Sequence, residues 1–196
     1  MYKKMAVCAA MSGTLLLGAC AGFQSHQVPE VNPNDLQFTS AVKTKVFTRW
    51  VYETEGILAS ESMKTQAAAF NKKTFEDVLK STNCCDVVET SKQADVIVDG
   101  KSLEKGNPAA LVGAVVTGLS LYTVPSWVTS DMTISAAVKT RSTKQGYELH
   151  DATTLVQWLP MMFVFPFSTP ASANTQMNEN AYKTIVVNMK NDGFLK

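Results

Sequence analysis

The sequence predicts an α+β domain, a small mixed or antiparallel sheet with two helices packed on one face. Three observations predict it. Period-two alternation recurs in several short stretches, the mark of half-buried strands. Two longer stretches instead step by three and four residues, the mark of amphipathic helices. The strands and helices follow one another without an internal repeat or low-complexity run.

Val42 to Tyr52, "VKTKVFTRWVY", alternates Val42, Thr44, Val46, Thr48, Trp50 and Tyr52 against Lys43, Lys45 and Arg49. β-branched and aromatic residues on one face and cations on the other make a strand with a polar side. Ser62 to Lys80 places Met63, Ala67, Phe70, Phe75, Val78 and Leu79 on one helical stripe, with Ser60 or Ser62 to cap it and Asn83 just past its end. "CCDVVE" is then a short strand, and "ADVIVDGKSLE", Ala94 to Glu104, another.

Gly106 to Ser130 carries no charged side chain. Pro108 and Pro125 interrupt it, so its apolar part, Ala109 to Tyr122, is shorter than the roughly 17–25 residues that span a bilayer as a helix. If helical, Ala109, Gly113 and Thr117 form a face of small residues that allows close packing. The stretch reads equally as a buried core connection. Asp131 to Arg141 returns to alternation, with Met132, Ile134, Ala136 and Val138 inward. A hairpin turn is expected at Lys144–Gly146, with Tyr147, Leu149, Thr153 and Leu155 on the returning strand.

Ala152 to Asn178 is again free of charge, and its centre is "LVQWLPMMFVFPF". Pro160 and Pro166 forbid a regular helix through it. Exposed, these side chains would form a sticky surface of the kind that marks a membrane or protein contact; buried, they would be core. Asn178 to Asn191 closes the chain as a helix with Ala181, Tyr182, Ile185, Val186 and Met189 on one face and Gly193 as its stop.

Ahead of the domain, Met1–Lys4 is short and basic, Met5–Gly18 is uncharged, and small residues precede Cys20. That order describes a secretory signal. Leu17-Gly18-Ala19-Cys20 resembles the bacterial lipobox. The resemblance implies a signal peptide over 1–19, cleavage, and acylation of Cys20. Three acyl chains anchor permanently where one holds only marginally. Ala21 stands where an Asp would imply inner-membrane retention, so the implied place is the outer membrane, facing the periplasm. "AGFQSHQVPEVNPN" behind Cys20 reads as a flexible tether, giving a lipidated segment over 20–37 and a single domain over 38–196.

Composition narrows the function classes. The 18 basic residues less Lys3 and Lys4 leave 16 against 17 acidic ones, which argues against nucleic acid as a partner. The chain is 45% apolar and only 18% charged, oilier than most soluble domains. Cys84 and Cys85 are adjacent; in an oxidising compartment they can form a vicinal disulfide, pair between molecules or stay reduced. Alternating strand geometry would send them to opposite faces.

"VVE", a polar turn and "ADVIVDGKSL" resemble a step found in several envelope proteins: the amino-terminal domain of the Tol–Pal translocation protein, the lipoprotein activators of penicillin-binding proteins and the curli secretion-channel lipoprotein. "GLSLYTVPSW", Gly118 to Trp127, is similar to a segment of Gram-negative lipoproteins. The resemblance implies a binding or channel component and brings no catalytic residues. "LVGAVVTGLSLYTV" alternates poorly for a barrel strand, which counts against a pore.

Chemistry is thinly supplied. "GLSLY" around Ser120 fails the nucleophile-elbow pattern, "DGKS" at Asp99–Ser102 lacks the phosphate-loop glycine, and no Cys/His cluster has metal spacing. His150 beside Asp151 is the one base candidate, with a surface or half-buried position and no catalytic role expected. The expectation is therefore a non-enzyme without cofactor or metal, a lipid-anchored envelope protein that binds a partner protein or supports envelope assembly. The candidate contact surface is Leu119, Leu121, Tyr122, Trp127, Trp158, Met161, Met162, Phe163, Phe165 and Phe167. The alternative is an oligomeric transport or secretion component, a homo-oligomer whose apolar insertions contact the membrane.

Overall fold

The structure, a computed structural model, describes residues 19–40 and 42–196. The expected signal peptide, 1–19, lies outside them but for Ala19. Six strands form one mixed sheet: β1 (Cys20–Gln24), β2 (Thr44–Glu55), β3 (Cys85–Val87), β4 (Val96–Gly106), β5 (Ser126–Lys139) and β6 (Lys144–Gln157). Their order is β1-β6-β5-β4-β2-β3. β2 runs parallel to both β3 and β4; the β4–β5, β5–β6 and β6–β1 pairs are antiparallel. The helices among the described residues are α1 (Glu61–Ser81), α2 (Ala110–Leu119) and α3 (Pro170–Asn191). The α+β class and the helix-covered face are as the sequence predicts.

The alternation of β2 and β5 sets the core. Val46, Thr48 and Trp50 from β2, Val96 and Val98 from β4, and Met132, Ile134, Ala136 and Val138 from β5 are buried beneath α1 and α3. The helices answer with Phe75, Val78 and Leu79 from α1 and Met177, Ala181, Tyr182, Ile185, Val186 and Met189 from α3. Trp50, Phe75 and Tyr182 form an aromatic trio, with ring centroids 5.3, 5.1 and 5.6 Å apart. Tilted and edge-on contacts of this kind suit the ring quadrupoles. The Trp50 indole donates to Ser102 Oγ at 2.9 Å, which satisfies its buried N–H. The opposite face of the sheet carries no helix among the described residues and is laced with ion pairs, Arg49–Asp99, Lys139–Asp99, Lys101–Glu53 and Lys105–Glu55.

Several expectations are corrected. The segment read as a tether over 20–37 is part of the domain. Cys20–Gln24 pairs with β6, and Ala21 is fully buried. Farther on, Asn180 of α3 donates to the Val28 and Pro29 carbonyls and accepts from Val31 N. Lys190 donates to the Asp35 and Gln37 carbonyls. Beyond β1 the polar side chains of this segment are exposed, while its backbone is held by side chains of α3. The hairpin turn lies at Thr140–Thr143 rather than Lys144–Gly146. Thr140 Oγ1 accepts from the amides of Ser142 and Thr143, so a threonine does locally what a glycine was expected to do. Gly146 sits in β6, paired with Ala137. The last helix starts at Pro170, well before Asn178. Thr169 and Ser172 cap it reciprocally, with Pro170 in the first turn.

Cys84 and Cys85 are joined by a disulfide, and both are buried. Opposite-face alternation does not apply, because Cys84 precedes β3 in a turn where Asn83 takes φ +56°.

Candidate functional site

The two uncharged segments meet at one end of the sheet. Trp158 N donates to Ala19 O at 3.0 Å, and Leu159 N donates to Tyr122 O at 2.8 Å. These bonds join the start of the domain, the second uncharged segment and the first. Strand register completes the arrangement. Ser126, Gln157 and Cys20 form one cross-strand row on the helix-bearing face, with Ser126 Oγ donating to Gln157 Oε1 at 3.1 Å. Trp127, Val156 and Ala21 form the adjoining row on the open face. Cys20 therefore stands within the end that the apolar segments build.

The first uncharged segment is neither a buried connection nor a barrel strand. It folds as α2, and α2 is inverted. Its small residues face the sheet: a Cβ on Gly113 would lie 3.4 Å from Ser126 Cβ, and Thr117 is fully buried. Its large residues Leu111, Val112, Val115, Val116 and Leu119 point outward, Leu119 with 83% of its surface exposed. The small-residue face over Gly113 and Thr117 is the one the sequence shows; Ala109, expected on it too, is exposed. After the helix the chain reverses through Leu121 and Tyr122, both in left-handed backbone conformation at φ +52° and +61°. Non-glycine residues there carry strain that the surroundings must hold. Tyr122 N donates to Thr117 O, Ser120 Oγ accepts from Val124 N, and the Leu159 bond pins Tyr122 from the far side.

The second uncharged segment forms a 3-10 turn, Leu159–Phe163, with Pro160 in its first positions, and then runs along the outer edge of β1. There Gly22 N donates to Ser168 O at 3.0 Å. Of the ten expected contact residues, six are exposed: Leu119, Leu121, Trp127, Trp158, Phe163 and Phe167, the last two at 75% and 88%. Tyr122, Met161, Met162 and Phe165 are half-buried and support the surface rather than form it. Sequence reasoning missed Leu111, Val112, Val115, Val116 and Phe23, which are exposed as well. The Gly113/Thr117 spacing was the signal that could have assigned the α2 residues: small residues on one face leave the large ones on the other.

Beside α2, the turn at Gly56–Leu58 closes an apolar cleft of about 420 Å³, lined by Ile57, Leu58, Pro108, Leu111, Ala114 and Val128. Burial pushes the Cys20 thiol up. His150 lies on the open sheet face, away from this end. Its Nδ1 is 3.1 Å from Thr133 Oγ1 and its Nε2 3.1 Å from Glu148 Oε1, in an exposed surface pair. No helix among the described residues is long and apolar enough to cross a membrane.

No family model matches the chain, and no curated protein matches it. Among solved structures, the PelC L103M dodecamer from Paraburkholderia phytofirmans is similar over 84% of this chain and 96% of that one, at 9% identity and a TM-score of 0.32. Likeness at that level carries no argument about function.

Proposed function

We propose that this chain is a non-enzymatic envelope lipoprotein. Acylated Cys20 fixes it to the outer membrane, and the domain faces the periplasm. It acts by contact, binding a partner or supporting envelope assembly, and the apolar end is its contact surface. One observation carries the reading. The strand register, Cys20 opposite Gln157 and Gln157 opposite Ser126, puts Cys20 in the same end as the exposed Leu119, Trp127, Trp158, Phe163 and Phe167. An exposed apolar surface of this extent is the usual mark of an interaction site, and it surrounds the residue that the lipobox resemblance implies is acylated.

The test is the mass of the mature amino terminus of protein purified from envelopes, together with fractionation of a Cys20→Ala variant. A chain beginning at acylated Cys20, and loss of normal processing in the variant, are expected. A native chain that begins at Met1, or at an unmodified residue, overturns the anchor. A partial reaction that disappears in His150→Ala would overturn the non-enzymatic reading.

A further inference from the structure

Helix α2 is built inside out. A helix on the surface of a globular domain turns its apolar stripe to the core and its polar residues to water. Here Gly113 and Thr117 take the inner positions, while Leu111, Val112, Val115, Val116 and Leu119 take the outer ones. Leaving apolar area in water forfeits the free energy of its burial, so this convex surface is shaped for an apolar cover.

Four observations identify the cover. Cys20 lies in the row Ser126–Gln157–Cys20, on the sheet face that α2 packs against, so acyl chains attached there would emerge beside the helix. Both segments forming the surface, Gly106–Ser130 and Ala152–Asn178, lack any charged side chain, whereas the open sheet face is laced with ion pairs. Trp127, Trp158 and Tyr122, amphipathic rings suited to a headgroup layer, all occur at this end. Finally, α2 has 10 residues, too few to cross a bilayer. Its outward residues can reach only the boundary between headgroups and acyl chains, about 5–10 Å deep.

Resting on the reading that Cys20 carries the anchor, we infer that the apolar end docks on the phospholipid leaflet holding that anchor. α2 and the Leu159–Phe163 turn enter the headgroup–acyl boundary. The lipid holds the domain at the membrane, and the docked end fixes its orientation, leaving the ion-paired sheet face toward water.

Tryptophan emission tests this on the native protein, reconstituted in phosphatidylethanolamine–phosphatidylglycerol vesicles whose acyl chains are brominated. Trp50 is buried in the core and serves as an unquenched reference. The expected result is loss of the emission from Trp127 and Trp158 with that of Trp50 retained, and a smaller quenchable share in Trp127→Phe and Trp158→Phe. Val115→Asp/Leu119→Asp alters only exposed side chains, so it should keep its circular dichroism and lose most of the quenching. Vesicle-bound protein without quenching overturns docking while leaving the anchor intact. An unmodified amino terminus overturns the anchor, and the quenching still reports docking by itself. A photo-crosslinker at residue 115 that joins a second copy of the chain, its own amino-terminal segment or another protein, with no quenching, also overturns the inference.

Discussion

The amide of Gly22 donates to the carbonyl of Ser168, 3.0 Å away, and so ties β1 to the segment that leads into α3. The tie depends on β1 lying flat against the start of α3. Gly22 makes that possible, because a Cβ at this position would stand 2.5 Å from Pro170 Cα. Gly22→Val is therefore expected to push β1 off the sheet edge. Overpacking of this kind costs about 1–3 kcal/mol. Hydrogen exchange at Phe23 and Ser25, whose amides face β6, reads the effect: fast exchange there, with β4 and β5 still protected, is expected. Unchanged protection at Phe23 would show that β1 does not need the close approach.

A second close approach sits in the middle of the core. Gly100 is paired with Trp50 across β2 and β4, and a Cβ on Gly100 would fall 2.1 Å from Trp50 Cε3. The indole lies over the glycine, keeps its hydrogen bond to Ser102 and completes the trio with Phe75 and Tyr182. Gly100→Ala would displace the ring and break that bond, so a loss of about 2–4 kcal/mol is expected from overpacking together with the stranded indole N–H. Urea midpoints and the near-ultraviolet Trp signal measure it. A variant with wild-type midpoint would mean that the ring has room to slide.

Asn180 holds three backbone groups of the segment behind β1, its Nδ2 donating to Val28 O and Pro29 O and its Oδ1 accepting from Val31 N. Asn180→Ala strands these partners, and a cost of about 2 kcal/mol is expected, because each buried bond is worth about 1 kcal/mol net. Limited proteolysis should cut between Ser25 and Asn34 much sooner in the variant. Equal cleavage would return this segment to the status of a tether.

Legibility in the sequence followed the source of the ordering force. Elements built on their own periodicity, β2, α1 and β5, were readable because burial on one face writes the pattern directly. β1 was not, since "CAGFQ" is ordered by pairing with β6 and by contact with Pro170, both distant in sequence. The early start of α3 was written in Thr169, Pro170 and Ser172, a capping signal masked by the uncharged run around it. At the apolar end the sequence showed which residues were unusual but not which were exposed. That depends on α2 turning Gly113 and Thr117 inward, a choice made by close packing on β5.

The open sheet face makes the pH prediction. Asp99 accepts from Arg49 Nε at 2.7 Å and from Lys139 Nζ at 2.7 Å, with Arg49 on the neighbouring strand β2 and Lys139 diagonal to it on β5. Partial burial by itself would raise the carboxyl; the hydrogen bonds and charges of Lys139 and Arg49 outweigh it and hold Asp99 below its ordinary value. A carboxyl depressed by folding contributes stability above its unfolded value, about 4, and loses it as pH falls through the folded one. Arg49 is largely exposed, so solvent limits the contribution to about 1 kcal/mol or less. Asp99→Asn should thus be slightly less stable than wild type at pH 7, with the gap closing as both are titrated toward pH 3. Urea midpoints at stepped pH values read the difference directly. A gap that stays constant from pH 7 to pH 3 would assign the loss to packing of the amide rather than to the charge on Asp99.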